Sequence, residues 1–170
     1  MRAFYADAVD RTAKAARILP PHIPTLHIVG RRQMGDVRRR FASDVPKGAA
    51  GHHVLGFFVR EHKSASIFVE LGLPRPLLLG TLAHELAHAW QVEAAPSQND
   101  PLLREGFAEW VAHRVLVAAG HRRVAVRMTR RDDLYGRGLR HFLAIERSAG
   151  HAAVLAAAQG ARANATLPSR

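Results

Sequence analysis

The segment His84-Glu85-Leu86-Ala87-His88 sets two imidazoles four positions apart. On a helix that spacing is one turn, so both rings aim at a single point beside the axis. Glu85 lies next to them but is rotated away from that point, toward a water molecule bound there. The chemistry such a trio suits is hydrolysis at a metal: zinc acidifies and orients the water, and a carboxylate takes its proton and hands it to a leaving amine. Five-residue patterns do recur by chance in a chain with eleven histidines. The surroundings argue against chance, because Leu82, Leu86, Ala87 and Trp90 would bury this helix. An unpaired His-Glu-His cluster is costly to bury, and a cation removes that cost.

A catalytic zinc usually takes three protein ligands and leaves one position for water. The third is sought in Leu103-Arg104-Glu105-Gly106-Phe107-Ala108-Glu109-Trp110. Glu105 and Glu109 share one face of a helix there, and Gly106 would let that helix approach the first closely. Only one carboxylate is needed at the metal; the other can accept a hydrogen bond from a ligand imidazole and fix its tautomer. The plainer fate of a lone helical Glu is exposure. For the oxyanion formed in peptide hydrolysis a Tyr or His donor is expected, with Tyr135 the first candidate and His141 and His113 behind it.

The elements that must position these residues follow from periodicity and breakers. Residues 1–19 read as an amphipathic helix, 25–29 as a short strand, and 31–51 as a helix fragment plus loop. The runs 54–59 and 66–71 read as an antiparallel pair. Residues 64–71 are expected to form an edge strand able to pair with an extended substrate, the plainer reading being a paired inner strand. A helix is predicted over 76–94, and a second, capped by Asp100 with Pro101 in its first turn, to about 119. The stretch 121–133 reads as a surface loop or irregular helix. Helices over 135–148 and 151–159 are separated by a glycine break, and 161–170 reads as a tail.

With 170 residues, 48% of them hydrophobic, one core and one domain are expected. Its parts are an N-terminal helix and sheet (1–75), the zinc-ligand helices (76–119) and C-terminal helices (120–160). The fold class expected is α+β. The absence of cysteine rules out disulfides and thiolate zinc sites, leaving His and carboxylate as ligands. The N-terminal stretch is broken by charges, unlike a secretory signal, and the apolar run 76–90 is too short for a bilayer, so no membrane partner is expected and a cytoplasmic location is the reading. The net charge of +11 favours acidic partners, anionic surfaces or plain solubility, and charge alone does not choose among them. Arg38-Arg39-Arg40 and the arginines of 122–131 lack interleaved aromatics, so they read as solvated faces rather than a nucleic-acid surface. His52-His53 reads as an exposed loop, an accessory metal site being the other reading.

The run Leu71-Gly72-Leu73-Pro74-Arg75, followed by Gly80-Thr81-Leu82-Ala83-His84-Glu85-Leu86-Ala87-His88-Ala89-Trp90, resembles the peptidase domain of the DA-one family. These are LIM-associated, ubiquitin-activated zinc metallopeptidases. The similarity continues through Glu105-Gly106 with Ala112-His113, through Tyr135-Gly136-Arg137-Gly138, and back to Phe4-Tyr5 and Ile23-Pro24. The resemblance implies a Glu-zincin (gluzincin) fold with a small sheet over the metal helix, a second helix bringing the Glu ligand and a helical C-terminal part. In that family the position matching Glu109 is a Gln and that matching Glu105 is acidic, which favours Glu105 at the zinc; the tyrosine match likewise favours Tyr135. A protein or peptide substrate, and ubiquitin or a ubiquitinated protein, are the partners it implies.

There are departures. The family's LIM modules need cysteines and its ubiquitin-interacting segments have no counterpart, so ubiquitin regulation does not carry over. The composition looks more like a bacterial relative, and Arg104 stands where the family tends to have a second acid. The leading expectation is therefore a zinc endopeptidase. The alternative is a catalytically weak binding module recruiting an acidic protein or nucleic acid through its basic surface. A protease acting on nucleic-acid-bound proteins would take a third His, against which the Glu105 segment speaks.

Overall fold

The computed structural model describes residues 1–41, 55–62 and 64–160; the His52-His53 pair and the 161–170 tail lie outside them. Helix α1 (Arg2–Ala16) buries Ala8, Thr12 and Ala16, spaced at four, and stops where Arg17 turns left-handed at φ 52°. Strand β1 (Thr25–Val29) and helix α2 (Arg31–Arg40) follow, the helix starting where the Gln33 side chain accepts the Gly30 N–H. Strands β2 (Gly56–Glu61) and β3 (Ser64–Glu70) complete a three-stranded sheet in the order β1-β3-β2.

The antiparallel pairing expected between the two apolar runs is present, with Phe57 opposite Phe68. The expected position of 64–71 at the sheet edge is overturned. β3 is the middle strand, parallel to β1 on one side and antiparallel to β2 on the other. Its apolar content explains this: Ile67 and Val69 are wholly buried, which a strand with one open side does not require. Among the described residues, the sheet edges are β1 and β2.

Helix α3 (Arg75–Ala94) begins after Pro74 with Pro76 in its first turn, where a missing N–H costs nothing. Helix α4 (Pro101–Ala118) is capped by Asp100, whose side chain accepts the Leu102 N–H at 2.8 Å. The stretch read as loop or irregular helix contains α5 (Arg122–Thr129). Asp133 caps α6 (Leu134–Ala158) by accepting the Gly136 N–H at 3.0 Å. The glycine break is at Gly150, where φ is 79°.

The sheet divides two apolar layers. Ile67 and Val69 face the helices, joining Leu82, Leu86, Phe107, Trp110 and Phe142 in the main core; Phe57 and Val59 face Met34 of α2. Phe107 is the hub, its ring 5.2 Å from Trp90 of α3 and 5.7 Å from both Trp110 and Phe142. Gly106 does not serve the α3–α4 approach expected of it. A Cβ there would come within 2.6 Å of the Gly138 backbone, so the close crossing is between α4 and α6, glycine against glycine. Among the described residues, no helix is long and apolar enough to cross a membrane. The architecture is α+β.

Candidate metal centre and cleft

Two adjoining helices bring the donor atoms together. His84 and His88 project from one face of α3, and Glu105 reaches them from the first turns of α4. Nε2 of His84 lies 3.0 Å from Nε2 of His88, and the Glu105 carboxylate stands 3.3 Å from the first and 3.5 Å from the second. A tetrahedral zinc with ligand bonds near 2.0–2.1 Å separates its donors by about 3.3 Å. The triangle therefore has the dimensions of three corners of such a site.

The other ring nitrogens have partners of their own. Nδ1 of His88 lies 2.9 Å from Oε1 of Gln91, whose Nε2 donates to the Arg104 carbonyl and so fixes which end of the amide faces the ring. Nδ1 of His84 faces Oε1 of Glu109 at 3.5 Å. Both partners accept, so both neutral rings carry their proton on Nδ1. In the neutral rings that leaves two Nε2 lone pairs and the Glu105 carboxylate converging on one point, which a single cation, a proton or a metal ion, can occupy.

Electrostatics make the same demand. Glu85, Glu105 and Glu109 are only 6%, 3% and 8% exposed. Burial would push Glu105 up, but His88 and His84 outweigh it and hold its carboxyl far below the usual range. Burial would lower His84, but hydrogen bonding to Glu105 and Glu109, with Glu85 nearby, raises it well above the ordinary histidine value. Three buried carboxylates draw positive charge to this spot, and a divalent ion meets that demand as a proton does.

Glu85 lines a cleft of about 200 Å³ together with His84 and Tyr135. It lies under strand β2. A Cβ on Gly56 would fall 2.4 Å from Thr81 and 2.9 Å from the Glu85 carboxylate, so only glycine lets the strand come this close. Burial raises Glu85 above the usual carboxylate range, against the pull of His84 and His88 and a backbone hydrogen bond from Phe58.

Tyr135, at the start of α6, stands with its ring centre 6.2 Å from that of His84. Burial, followed by the charges of Glu105, Glu109 and Glu85, pushes its hydroxyl well up, so it keeps its proton as a donor. Arg131 stacks 4.9 Å from the Tyr135 ring centre, bonds Asp133, and approaches Glu109 at 3.6 Å. His113 is half-buried one turn beyond Glu109 and lowered mainly by burial; it is not in the donor cluster. His141 is exposed against Phe142, away from the cleft lining.

Gln91 and Arg131 were missed from sequence. Gln91 sits three residues after His88, on the same face, which is a usable signal for a ring partner. Arg131 belongs to a run read as a solvated face; nothing local distinguishes it from its exposed neighbours. Likewise, the resemblance residues Phe4, Tyr5, Pro24 and Arg75 meet each other: Arg75 lies over the Phe4 ring, and the Tyr5 hydroxyl donates to the Pro24 carbonyl at 2.8 Å. Comparison of the chain with protein-family models, with curated proteins and with solved structures gives no match.

Proposed function

We propose that the chain is a zinc-dependent endopeptidase of the gluzincin kind, with His84, His88 and Glu105 holding the ion. The observation that carries this reading is the donor triangle, with sides of 3.0, 3.3 and 3.5 Å, whose ring nitrogens face outward to Gln91 and Glu109. Zinc in that position supplies Lewis acidity, lowering the pKa of a water molecule and polarising the scissile carbonyl.

The chain's own groups do the rest. Glu85 takes a proton from the attacking water as its oxygen bonds to the carbonyl carbon, then delivers that proton to the nitrogen as the C–N bond breaks. Its raised pKa suits both halves of that task, since a carboxyl that gains a proton readily is a better base and later an acid of matched strength. Tyr135 donates its O–H to the carbonyl oxygen as negative charge gathers there. An extended substrate is held along β2, the strand edge that overlies Glu85, in place of the inner strand 64–71.

Wild type and Glu85→Gln, matched for zinc content, are incubated with a proteome-derived peptide library. Wild type is expected to create internal termini that Glu85→Gln does not, and a chelator to suppress them. The same termini from Glu85→Gln would overturn the mechanism, and no termini from either protein would favour the binding-module alternative.

A further inference from the structure

We propose that the cleft beside the donor cluster is a specificity pocket that takes an apolar side chain of Leu, Met or Phe size from a residue flanking the scissile bond; this rests on the peptidase reading above.

Three helices build its wall. Leu77 and Gly80 come from α3, Ala112 and Leu116 from α4, and Val124 and Met128 from α5. None of these six carries a charge or a hydrogen-bonding group. His84, Glu85 and Tyr135 line the same cleft, with the Thr81 hydroxyl beside them, so a side chain seated in it belongs to a residue adjoining the bond being broken. The two other charged groups of the lining, Glu109 and Arg131, are already turned to His84 and to Asp133. A charged substrate side chain entering the pocket would be left without a partner and is excluded on that account.

Size sets the upper limit. The cleft holds about 200 Å³. An apolar cavity of roughly 150 Å³ admits a benzene ring, so a phenyl or isobutyl group fits. Gly80 and Leu116 bound this space together, and an added Cβ on Gly80 would stand 3.1 Å from the Leu116 side chain. Even one methyl group there presses on Leu116, which must give by a few tenths of an ångström. The same apolar positions explain why α5 exists as a helix: Val124 and Met128, four apart, turn inward while Arg122, Arg123 and Arg127 stay exposed.

The termini produced by wild type, Gly80→Ala and Met128→Gln from the same peptide library, each at equal zinc content, test the proposal. Gly80→Ala places a good helix former in a helix, and Met128→Gln keeps the side-chain length, so one checks the other if either protein folds poorly. Wild-type cleavage is expected to be enriched for Leu, Met or Phe at one flanking position. Gly80→Ala should shift that preference to smaller side chains by about tenfold, the lower end of what one methylene is worth in an apolar pocket. Met128→Gln should weaken it. Absence of enrichment at either flank, or enrichment unchanged in both variants, would overturn the pocket while leaving the peptidase reading intact.

A second measurement separates the two ideas if nothing is cleaved. Capped leucine hydroxamate and capped glycine hydroxamate are titrated calorimetrically into the zinc-loaded protein. Tighter binding of the leucine compound by about tenfold or more, lost in Gly80→Ala, supports the pocket even where the peptidase reading fails. Equal affinities, absence of binding included, overturn it.

Discussion

Nδ1 of His88 lies 2.9 Å from the side-chain oxygen of Gln91, three residues further along the same helix, and the Gln91 amide nitrogen is tied to the Arg104 carbonyl on the next one. One amide thus sets the tautomer of the His88 ring and couples it to the helix that carries Glu105. Glu109 does the corresponding work for His84.

Gln91→Ala and Glu109→Ala should each weaken zinc binding by about 10- to 100-fold, the usual cost of removing a ring partner. Glu105→Ala, which removes a donor atom itself, should cost more than either. Competition titration against a chromophoric chelator ranks the three. An equal or larger loss in Glu109→Ala would exchange the roles of the two glutamates.

Gly56→Ala should lower turnover by about 100-fold, since a shift of about 1 Å in a positioned group has that effect. The added methyl group would stand against Thr81 and the Glu85 carboxylate and push β2 away from both. Zinc content should not change, because no donor atom touches Gly56. Steady-state kinetics and metal analysis of the same preparation check this, and unaltered turnover would detach the strand from the reaction.

How much of this was legible beforehand depended on whether the signal was local. The imidazole pair, the Asp100 cap and the break near Gly150 are set within four or five residues, and periodicity reads them. The place of β3 between its neighbours was not legible, because two apolar runs say that they pair without saying what flanks them. Gly106 failed for a related reason: a glycine announces a close approach but does not name the partner, which proved to be Gly138 on α6. In α5 the arginines masked a short apolar stripe, Val124 and Met128, that lines the cleft.

Burial holds the Glu85 carboxyl above its ordinary range in the fold, beyond what His84 and His88 draw back. In the unfolded chain the same group ionises near pH 4.3 or so. Between those two values the unfolded state binds fewer protons than the folded one, so this group's contribution to stability falls as pH rises. The metal-free Glu85→Gln protein, which has no proton to lose there, should gain in Tm relative to metal-free wild type as pH goes from about 4 to 7. Paired thermal melts read the difference; a gap that narrows with rising pH would contradict the burial account.

Tyr135→Phe should keep the packing against Arg131 and His84 and lose only the donor. Loss of one such donor costs about 100- to 1,000-fold in kcat. KM and zinc affinity should stay near wild type, and a change confined to KM would assign Tyr135 to substrate binding instead.

The proposed function rests on one ion binding between α3 and α4. Anomalous diffraction at the zinc edge from zinc-loaded crystals locates that ion directly. A single peak about 2.0–2.1 Å from Nε2 of His84 and Nε2 of His88 and about 2.0–2.2 Å from a Glu105 oxygen is predicted. No peak there, or one bound by Glu109 with Glu105 turned away, would contradict the account.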